Sequence, residues 1–331
     1  MLKITERILR NWGDLAGIDN LTLAEHDYRI SYLLNDIYSN DSLKDNLLLK
    51  GGTAINKLHL KNLSRISVDL DFNQIGSKDE VLRNVKRIRE ILIQIAKEQD
   101  QSYKITFDRR YEQTTIHLKY NSVTGQQPVQ PIKIEVSHVE RFPILKTENK
   151  ELMLYDTETS TSIGTYRIEE LLATKLRALY DRMKGRDLYD LTSSFRLVID
   201  KIVLRKMFLY YFYRDRKVFD PKIFFEKVSS SSYEDDVKGF IRPDIRFDLE
   251  LAKKEVMQNY NFLRNLDDAD KQFLTFARFL LGDDIKKEMK KTILDIVYPF
   301  RVLFDGVRDV NPDIFEIRTE DILMYKKPKD S

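Results

Sequence analysis

The segment from Lys50 to Phe72 constrains this chain most, because it predicts a turn, a helix and an acidic strand in close succession. A short apolar run, Leu47 to Leu49, ends at Gly51 and Gly52, and the apolar spacing that follows indicates a helix. Glycines before a helix let the backbone approach a ligand closely, and the free N–H groups of the first turn favour a phosphate. Thr53 is expected either to cap this helix or to contact that phosphate.

Two carboxylates project from one face of the strand that this segment predicts. Asp69 and Asp71 alternate with apolar residues at positions 68, 70 and 72, so the acids share one face and the apolar side chains share the other. By the same parity, Arg65 and Ser67 fall on the acidic face. An isolated Asp-x-Asp is more often a solvated pair, but the preceding glycines favour a site for a hard cation such as Mg²⁺.

A second acidic strand strengthens this interpretation. In the run Ile132 to Val136, Glu135 alternates with apolar residues as the two aspartates do. Three carboxylates on neighbouring strands suit two metal ions, which can clamp the attacking oxygen, the phosphoryl group and a pyrophosphate leaving group. The pattern therefore predicts metal-dependent transfer without a covalent protein intermediate.

The distribution of strand and helix patterns predicts two domains. Up to about residue 160, strand-like segments alternate with helical ones, whereas beyond about Tyr166 helical patterns dominate. We predict an α+β protein with a mixed-sheet domain at residues 1–160 and a mainly α-helical domain at residues 161–331. The length of 331 residues allows two domains of ordinary size.

The helical domain begins with a second charged motif. Lys175 falls within the apolar arc of its predicted helix, where a lysine needs a phosphate or carboxylate partner unless it reaches solvent from the helix edge. Gly185 is expected to end that helix. Asp187 and Asp190 lie three residues apart in the next one, where they either orient Lys175 or the substrate, or stabilise the helix terminus.

Composition excludes several classes of protein. The chain contains no cysteine, which removes disulfides, thiolate zinc sites and cysteine nucleophiles, and its four histidines lack close metal-ligand spacing. The N-terminus lacks the uninterrupted apolar region of a signal peptide, and the aromatic-rich run from Met207 to Tyr213 is too short for a membrane helix. We therefore expect a cytoplasmic protein with no membrane span.

Four motifs together resemble the AbiEii/AbiGii family of nucleotidyltransferase-fold toxins, found in bacterial abortive-infection and toxin-antitoxin systems. They are Gly51-Gly52-Thr53 with Lys57, Arg65-x-Ser67-x-Asp69-x-Asp71, Lys175-x-x-Ala178, and Arg186-Asp187-x-x-Asp190-Leu191. The resemblance covers about residues 45 to 195. It implies a nucleotidyltransferase domain followed by a helical one, NTP and Mg²⁺ as cosubstrate and cofactor, and a separately encoded antitoxin.

By motif, the resemblance assigns Gly52 and Thr53 to nucleotide phosphates, Asp69 and Asp71 to metal, and Lys175 to phosphate. It assigns Asp187 or Asp190 to the remaining catalytic position, and Glu135 becomes a third candidate metal ligand. The complete set of candidate nucleotide-binding residues is Gly51, Gly52, Thr53, Lys57, Arg65 and Ser67.

Some members of this family modify the acceptor end of tRNA, so we expect transfer of a nucleoside monophosphate from an NTP to RNA, with tRNA as the expected acceptor, which blocks translation. The alternatives are a protein or small-molecule hydroxyl as acceptor, or a non-catalytic nucleotide sensor.

Two basic segments raise the question of RNA binding. Residues 201–217 combine basic and aromatic side chains that suit either an RNA-binding groove or a buried helix with charged ends. Lys286, Lys287, Lys290 and Lys291 suit either a phosphate-binding face or a solvated one.

Overall fold

The computed structural model describes residues 2–61, 65–125, 131–157, 159–233, 236–237, 240–241, 245–282 and 299–315. The chain divides into two compact units. The first comprises Met1–Pro143, Thr147–Tyr166 and Val237–Arg246, and the second comprises Ile144–Lys146, Arg167–Asp236 and Phe247–Ser331.

A seven-stranded mixed sheet forms the centre of the first unit. In spatial order its strands are β3 (Lys104–Arg109), β4 (Gln113–Lys119), β5 (Ile132–Ser137), β2 (Asp69–Gln74), β1 (Leu47–Lys50), β7 (Ser160–Thr165) and β6 (Glu148–Met153). The pairs β2–β5 and β1–β7 are parallel and the others antiparallel. The mixed sheet confirms the prediction from sequence, although β6 and β7 were not anticipated.

The first unit also contains helices, some of which pack on the apolar face of the sheet. They are α1 (Glu6–Ala16), α2 (Leu21–Tyr38), α3 (Asp41–Lys44), the short α4 (Gly51–Thr53) with a π-helix (Ala54–His59), and α5 (Lys78–Gln99). A capping box between Ser77 and Glu80 begins α5. Gln74 lies on the apolar face of β2, and its side-chain amide donates to the Val81 carbonyl at 3.0 Å, which fixes α5 against that face.

The second unit is mainly helical in its described residues. Its helices are α6 (Ile168–Arg182), α7 (Gly185–Ser193), α8 (Lys201–Arg214), α9 (Pro221–Ser230), α10 (Leu249–Asn259), α11 (Asp268–Leu281) and α12 (Pro299–Leu303), with 3₁₀ turns at Ser194–Arg196, Asn261–Arg264 and Pro312–Phe315. Aromatic rings fill its core, and Phe208, Phe219 and Phe224 meet edge to face. A mixed-sheet part followed by a mainly helical part confirms the predicted fold class.

The boundary between α6 and α7 differs from the sequence prediction. Helix α6 ends at Arg182, and Met183 adopts the left-handed conformation with φ of 48°. Gly185 therefore does not end that helix, but begins α7.

Helix α8 confirms the second of the two interpretations of residues 201–217, a buried helix with charged ends. Arg205 and Lys206 are buried and pair with Asp267 and Asp270 at the start of α11, with the Arg205 Nε to Asp270 Oδ2 distance at 2.5 Å. The aromatic residues of α8 are buried as well: Phe208, Tyr210, Tyr211, Phe212 and Tyr213. The segment is thus a core helix with charged ends, because Arg205 and Lys206 bind partners more than sixty residues away whereas Lys201 and Arg216 are exposed.

Two remaining expectations concern lysines and membranes. Lys286, Lys287, Lys290 and Lys291 lie outside the described residues. Within the described part of the chain, every helix is too short or too polar to cross a bilayer.

Candidate active site

The glycine turn at the end of β1 lies directly against a carboxylate of β2. Gly51 has a φ of +74°, a left-handed conformation that favours glycine. A Cβ atom added to Gly51 would come within 2.5 Å of Asp71 Oδ2 and 3.3 Å of Asp71 Cβ. Glycine is therefore required here for two reasons, its backbone angle and the space that the Asp71 carboxylate occupies.

The rest of the glycine turn holds the strand and the helix together. The N-cap of α4 is Lys50, so the expectation that Thr53 caps this helix is wrong. Instead, the buried Thr53 hydroxyl donates to the backbone carbonyl of Asp69 at 2.6 Å. The Gly52 carbonyl accepts from the Asn56 side chain at 2.8 Å. Contact of Gly52 and Thr53 with a phosphate stays a prediction.

Lys57 is a buried structural cation, which corrects its assignment to the nucleotide-binding set. Its Nζ lies 2.7 Å from Asp27 Oδ1 and 3.0 Å from Ser31 Oγ, both on α2. The other Asp27 oxygen accepts from the Trp12 indole at 3.1 Å. These contacts hold the Lys57 ammonium in the interior of the first unit.

Strand β2 shows the alternation that the sequence predicted. Leu70 and Phe72 are fully buried, whereas Asp69 and Asp71 are partly exposed on the other face. On the parallel neighbour β5, Lys133 lies opposite Asp69 and Glu135 lies opposite Asp71. The two aspartates and Glu135 are thus on one face of two adjacent strands.

Glu135 is electrostatically coupled to Asp71. Burial raises the pKa of Glu135, the Asp71 charge raises it further, and Lys133 and Lys50 act in the opposite direction. Within the described residues, however, no group of three or more Asp, Glu or His side chains is arranged to hold a metal ion. Binding of a metal ion by Asp69, Asp71 and Glu135 therefore stays a prediction.

Three further polar residues border the carboxylates and were not chosen from sequence. Lys50 lies opposite Asp71 in the antiparallel β1–β2 register, and its Nζ binds Glu140 Oε2 at 2.8 Å. The same Glu140 oxygen accepts from Asn73 Nδ2 at 3.1 Å. Asn73 is two residues beyond Asp71 and hence on the same face, so the alternation of β2 could have identified it.

Arg65 and Ser67 precede the strand, so the alternation does not extend to them. Arg65 forms an isolated antiparallel bridge with Ile241, is buried, and donates to the Ile66 carbonyl at 3.1 Å. Ile66, Ser67 and Val68 are all buried in succession, so burial does not alternate before β2, and the placement of Ser67 on the Asp69 face stays a prediction. The Ser67 hydroxyl oxygen has no hydrogen-bond partner among the described residues.

In the second unit, Lys175, Asp187 and Asp190 form one buried ion cluster. Lys175 Nζ lies 3.1 Å from Asp187 Oδ1 and 2.9 Å from Asp190 Oδ2, and both aspartates are completely buried. Arg182 donates two hydrogen bonds of 2.7 Å to the Asp187 carboxylate. The three residues singled out from sequence thus meet in space, and the partner of Lys175 in this arrangement is a pair of carboxylates.

Opposing effects set the charge state of this cluster. Burial alone would raise the pKa of Asp187, but the charge of Lys175 and the hydrogen bonds from Arg182 outweigh it and lower that pKa. Asp187 is therefore an ionised carboxylate at neutral pH. The neighbouring Arg186 is held by Asp236, whose oxygens accept from its backbone N–H at 2.9 Å and its Nε at 2.8 Å.

A mixed sheet with a glycine turn against paired strand carboxylates defines a nucleotidyltransferase. The family model described as "Nucleotidyl transferase AbiEii toxin, Type IV TA system" matches residues 32–275, and the chain belongs to this family. It is a nucleotidyltransferase toxin of a type IV toxin-antitoxin system, which confirms the resemblance inferred from its motifs.

The solved structure of a toxin shows the same fold. The nucleotidyltransferase toxin MenT4 from Mycobacterium tuberculosis H37Rv matches with a TM-score of 0.63 at 18% identity, over 89% of this chain and 99% of that one. Terminal uridylyl transferase 4 from Trypanosoma brucei with bound dUTP matches with a TM-score of only 0.28 at 14% identity, over 96% of this chain and 97% of that one. No curated protein sequence matches.

Proposed function

We propose that this toxin transfers a nucleoside monophosphate from an NTP to a hydroxyl group of RNA, with the acceptor end of tRNA as the expected substrate. The hydroxyl oxygen bonds to the α-phosphorus, the bond from that phosphorus to the pyrophosphate oxygen breaks, and the hydroxyl proton is released. The observation that carries the proposal is the Gly51 backbone against the Asp71 carboxylate, with Asp69 on the same strand face.

Asp69 and Asp71 are the residues that we propose to hold Mg²⁺. Their hard oxygen donors suit this ion, which one or two carboxylates and substrate phosphates commonly bind, so a third protein ligand is not required. The absence of a side chain on Gly51 lets the Asp71 carboxylate lie directly against the backbone of the glycine turn. Bound Mg²⁺ would stabilise the negative charge that develops on the transferred phosphoryl group.

The other residues of the first unit would bind and orient the nucleotide. Gly51 and Gly52 begin α4, so their backbone can approach a phosphate without hindrance from side chains. Lys50 is partly exposed beside Asp71 and places a positive charge where the carboxylates would otherwise repel the triphosphate.

In the second unit, we propose that Lys175 contributes its positive charge to phosphate binding. Asp187 and Asp190 are the catalytic candidates there, and both hold the Lys175 ammonium in place.

The family description implies an antitoxin as the partner of this protein. NTPs and tRNA are cytoplasmic molecules, so we propose that the toxin acts in the cytoplasm. Modification of the tRNA acceptor end would stop translation, which would account for toxicity.

The test is a labelling reaction with purified protein, total RNA, Mg²⁺ and each of four α-³²P-labelled NTPs in turn. We expect label in a tRNA-sized band with at least one NTP, and its loss when EDTA replaces Mg²⁺. Label that appears in protein or in a small molecule would overturn RNA as the acceptor. Absence of label in every fraction would favour a nucleotide sensor instead.

A further inference from the structure

The strand face that carries the aspartates continues across three more strands towards the edge of the sheet. Residues opposite each other in register share a face, so the row from Asp69 runs through Lys133 on β5 and His117 on β4 to Thr106 on β3. The opposite face is covered by α5, where the Arg89 guanidinium lies 4.5 Å from the ring centre of Phe107. The row is therefore on the face that α5 does not cover.

One lysine on each of these three strands lies along that face. Lys104 on β3 and Lys119 on β4 are exposed and directly opposite each other, and Lys133 on β5 is partly exposed. Lys119 is two residues along β4 from His117, the register partner of Lys133, so Lys119 and Lys133 are diagonal neighbours. We call Lys104, Lys119 and Lys133 the lysine track. It leads strand by strand to Asp69.

Two members of the lysine track, Lys104 and Lys119, are unfavourable for folding alone, whereas Lys133 lies opposite Asp69. Like charges directly opposite each other in a sheet repel, as those of Lys104 and Lys119 do. Within the described residues, no carboxylate forms an ion pair with any of the three lysines. The neighbouring His117 differs, because its Nε2 lies 3.4 Å from Asp108 Oδ2. A polyanion on this face would supply the missing negative charge.

We propose that the lysine track binds the phosphates of the RNA strand whose terminal hydroxyl reaches Asp69 and Asp71. Neighbouring strands are about 4.8 Å apart, so the three strand steps from Asp69 on β2 to Lys104 on β3 span roughly 14 Å. A single RNA strand carries one negative charge on each nucleotide, so its phosphates can contact one lysine on each successive β-strand. This inference rests on the proposed function. It places the RNA-binding surface on the sheet and not on α8, whose side chains are largely buried.

The test measures how salt weakens RNA binding. A fluorescein-labelled single-stranded RNA of twelve nucleotides is titrated with wild-type protein, the double variant Lys104→Gln/Lys119→Gln, and the control Lys78→Gln/Lys86→Gln over a series of KCl concentrations. The control removes the same charge from α5, where both lysines are exposed. Each lost phosphate contact lowers the slope of log K against log salt by about 0.7 for single strands, so we expect a fall of about 1.4 in the double variant. The control should keep the wild-type slope.

Transfer assays on the same proteins separate the possible failures. We expect the double variant to show a raised KM for RNA, an unchanged KM for NTP, and no loss of thermal stability, since its change relieves repulsion. If the wild type labels RNA but the double variant keeps its salt slope and its KM, the lysine track is wrong and the proposed function stands. If the wild type neither binds nor labels RNA, both fail.

Discussion

Replacing Gly51 by alanine tests the glycine turn, and the chain provides a matched control. Gly51 and Gly125 have nearly the same backbone angle, φ of +74° and +72°. A Cβ atom on Gly51 would meet Asp71 Oδ2 at 2.5 Å, whereas one on Gly125 would find nothing within 4 Å. Comparing Gly51→Ala with Gly125→Ala therefore separates backbone strain from the contact with Asp71.

The magnitudes follow from these two contributions. An L-residue in the left-handed conformation costs about 1–2 kcal/mol, partly offset by the reduced entropy of the unfolded chain. Both variants should thus lose about 1 kcal/mol of stability, which lowers Tm by roughly 1–2 °C for a chain of 331 residues. In Gly51→Ala the Asp71 carboxylate must also move by roughly 1 Å to reach an ordinary contact distance. A displacement of that size can lower activity about a hundredfold.

The assay combines differential scanning fluorimetry with initial rates of nucleotide transfer. We expect similar Tm losses for the two variants, near-wild-type rates for Gly125→Ala, and a fall of about a hundredfold in kcat/KM for Gly51→Ala. Equal rates for the two variants would refute the argument that Gly51 is required by the Asp71 carboxylate.

Three further outcomes are expected. Lys57→Met leaves Asp27 buried without its cation, so the unfolding free energy measured in urea should fall by about 3–5 kcal/mol. The transfer rate per folded molecule should be unchanged, and a variant of full stability that lost activity would contradict the structural role of Lys57. Asp187→Asn should lower the unfolding free energy by about 2 kcal/mol. This is below the usual value for a broken buried ion pair because Lys175 still pairs with Asp190. An unchanged midpoint of urea unfolding would count against the ion cluster. Burial lowers the pKa of His138 to about 4 from the ordinary 6.5. The unfolded chain then binds the extra proton first, so stability should decline as pH falls from about 6.5 to 4, by about 2 kcal/mol after allowance for residual solvation. His138→Gln should remove this part of the pH dependence, and an identical pH profile would show that another group causes it.

Local sequence patterns were sufficient to predict much of the fold. Strand β2 was predictable because Leu70 and Phe72 alternate with the two aspartates, and α5 because its apolar residues follow helical spacing. Strands β6 and β7 were missed because polar residues dominate both of them. Such polar strands give little hydrophobic alternation, so only their tertiary pairing identifies them.

Charge pairing was less accessible from sequence. Lys175 stood out because it interrupts an apolar arc, and its partners Asp187 and Asp190 are near in sequence. Lys50 meets Glu140 ninety residues away, and no local pattern indicates which of many acids it will bind. Lys57 was misassigned for the same reason, since a motif can identify a lysine without showing the direction of its side chain.

The central claim is that the carboxylates of β2 perform the chemistry, and Asp71→Asn tests it most directly. The variant keeps the size of the side chain but removes the charge, and Asp41→Asn, at a position 89% exposed on α3, is the control. With α-³²P-labelled NTP, total RNA and Mg²⁺, the account predicts that Asp71→Asn loses at least about a thousandfold in transfer rate, because several kcal/mol of metal-assisted stabilisation are removed. Asp41→Asn should react as the wild type does. A folded Asp71→Asn protein that still transfers nucleotide within tenfold of the wild-type rate would contradict the account.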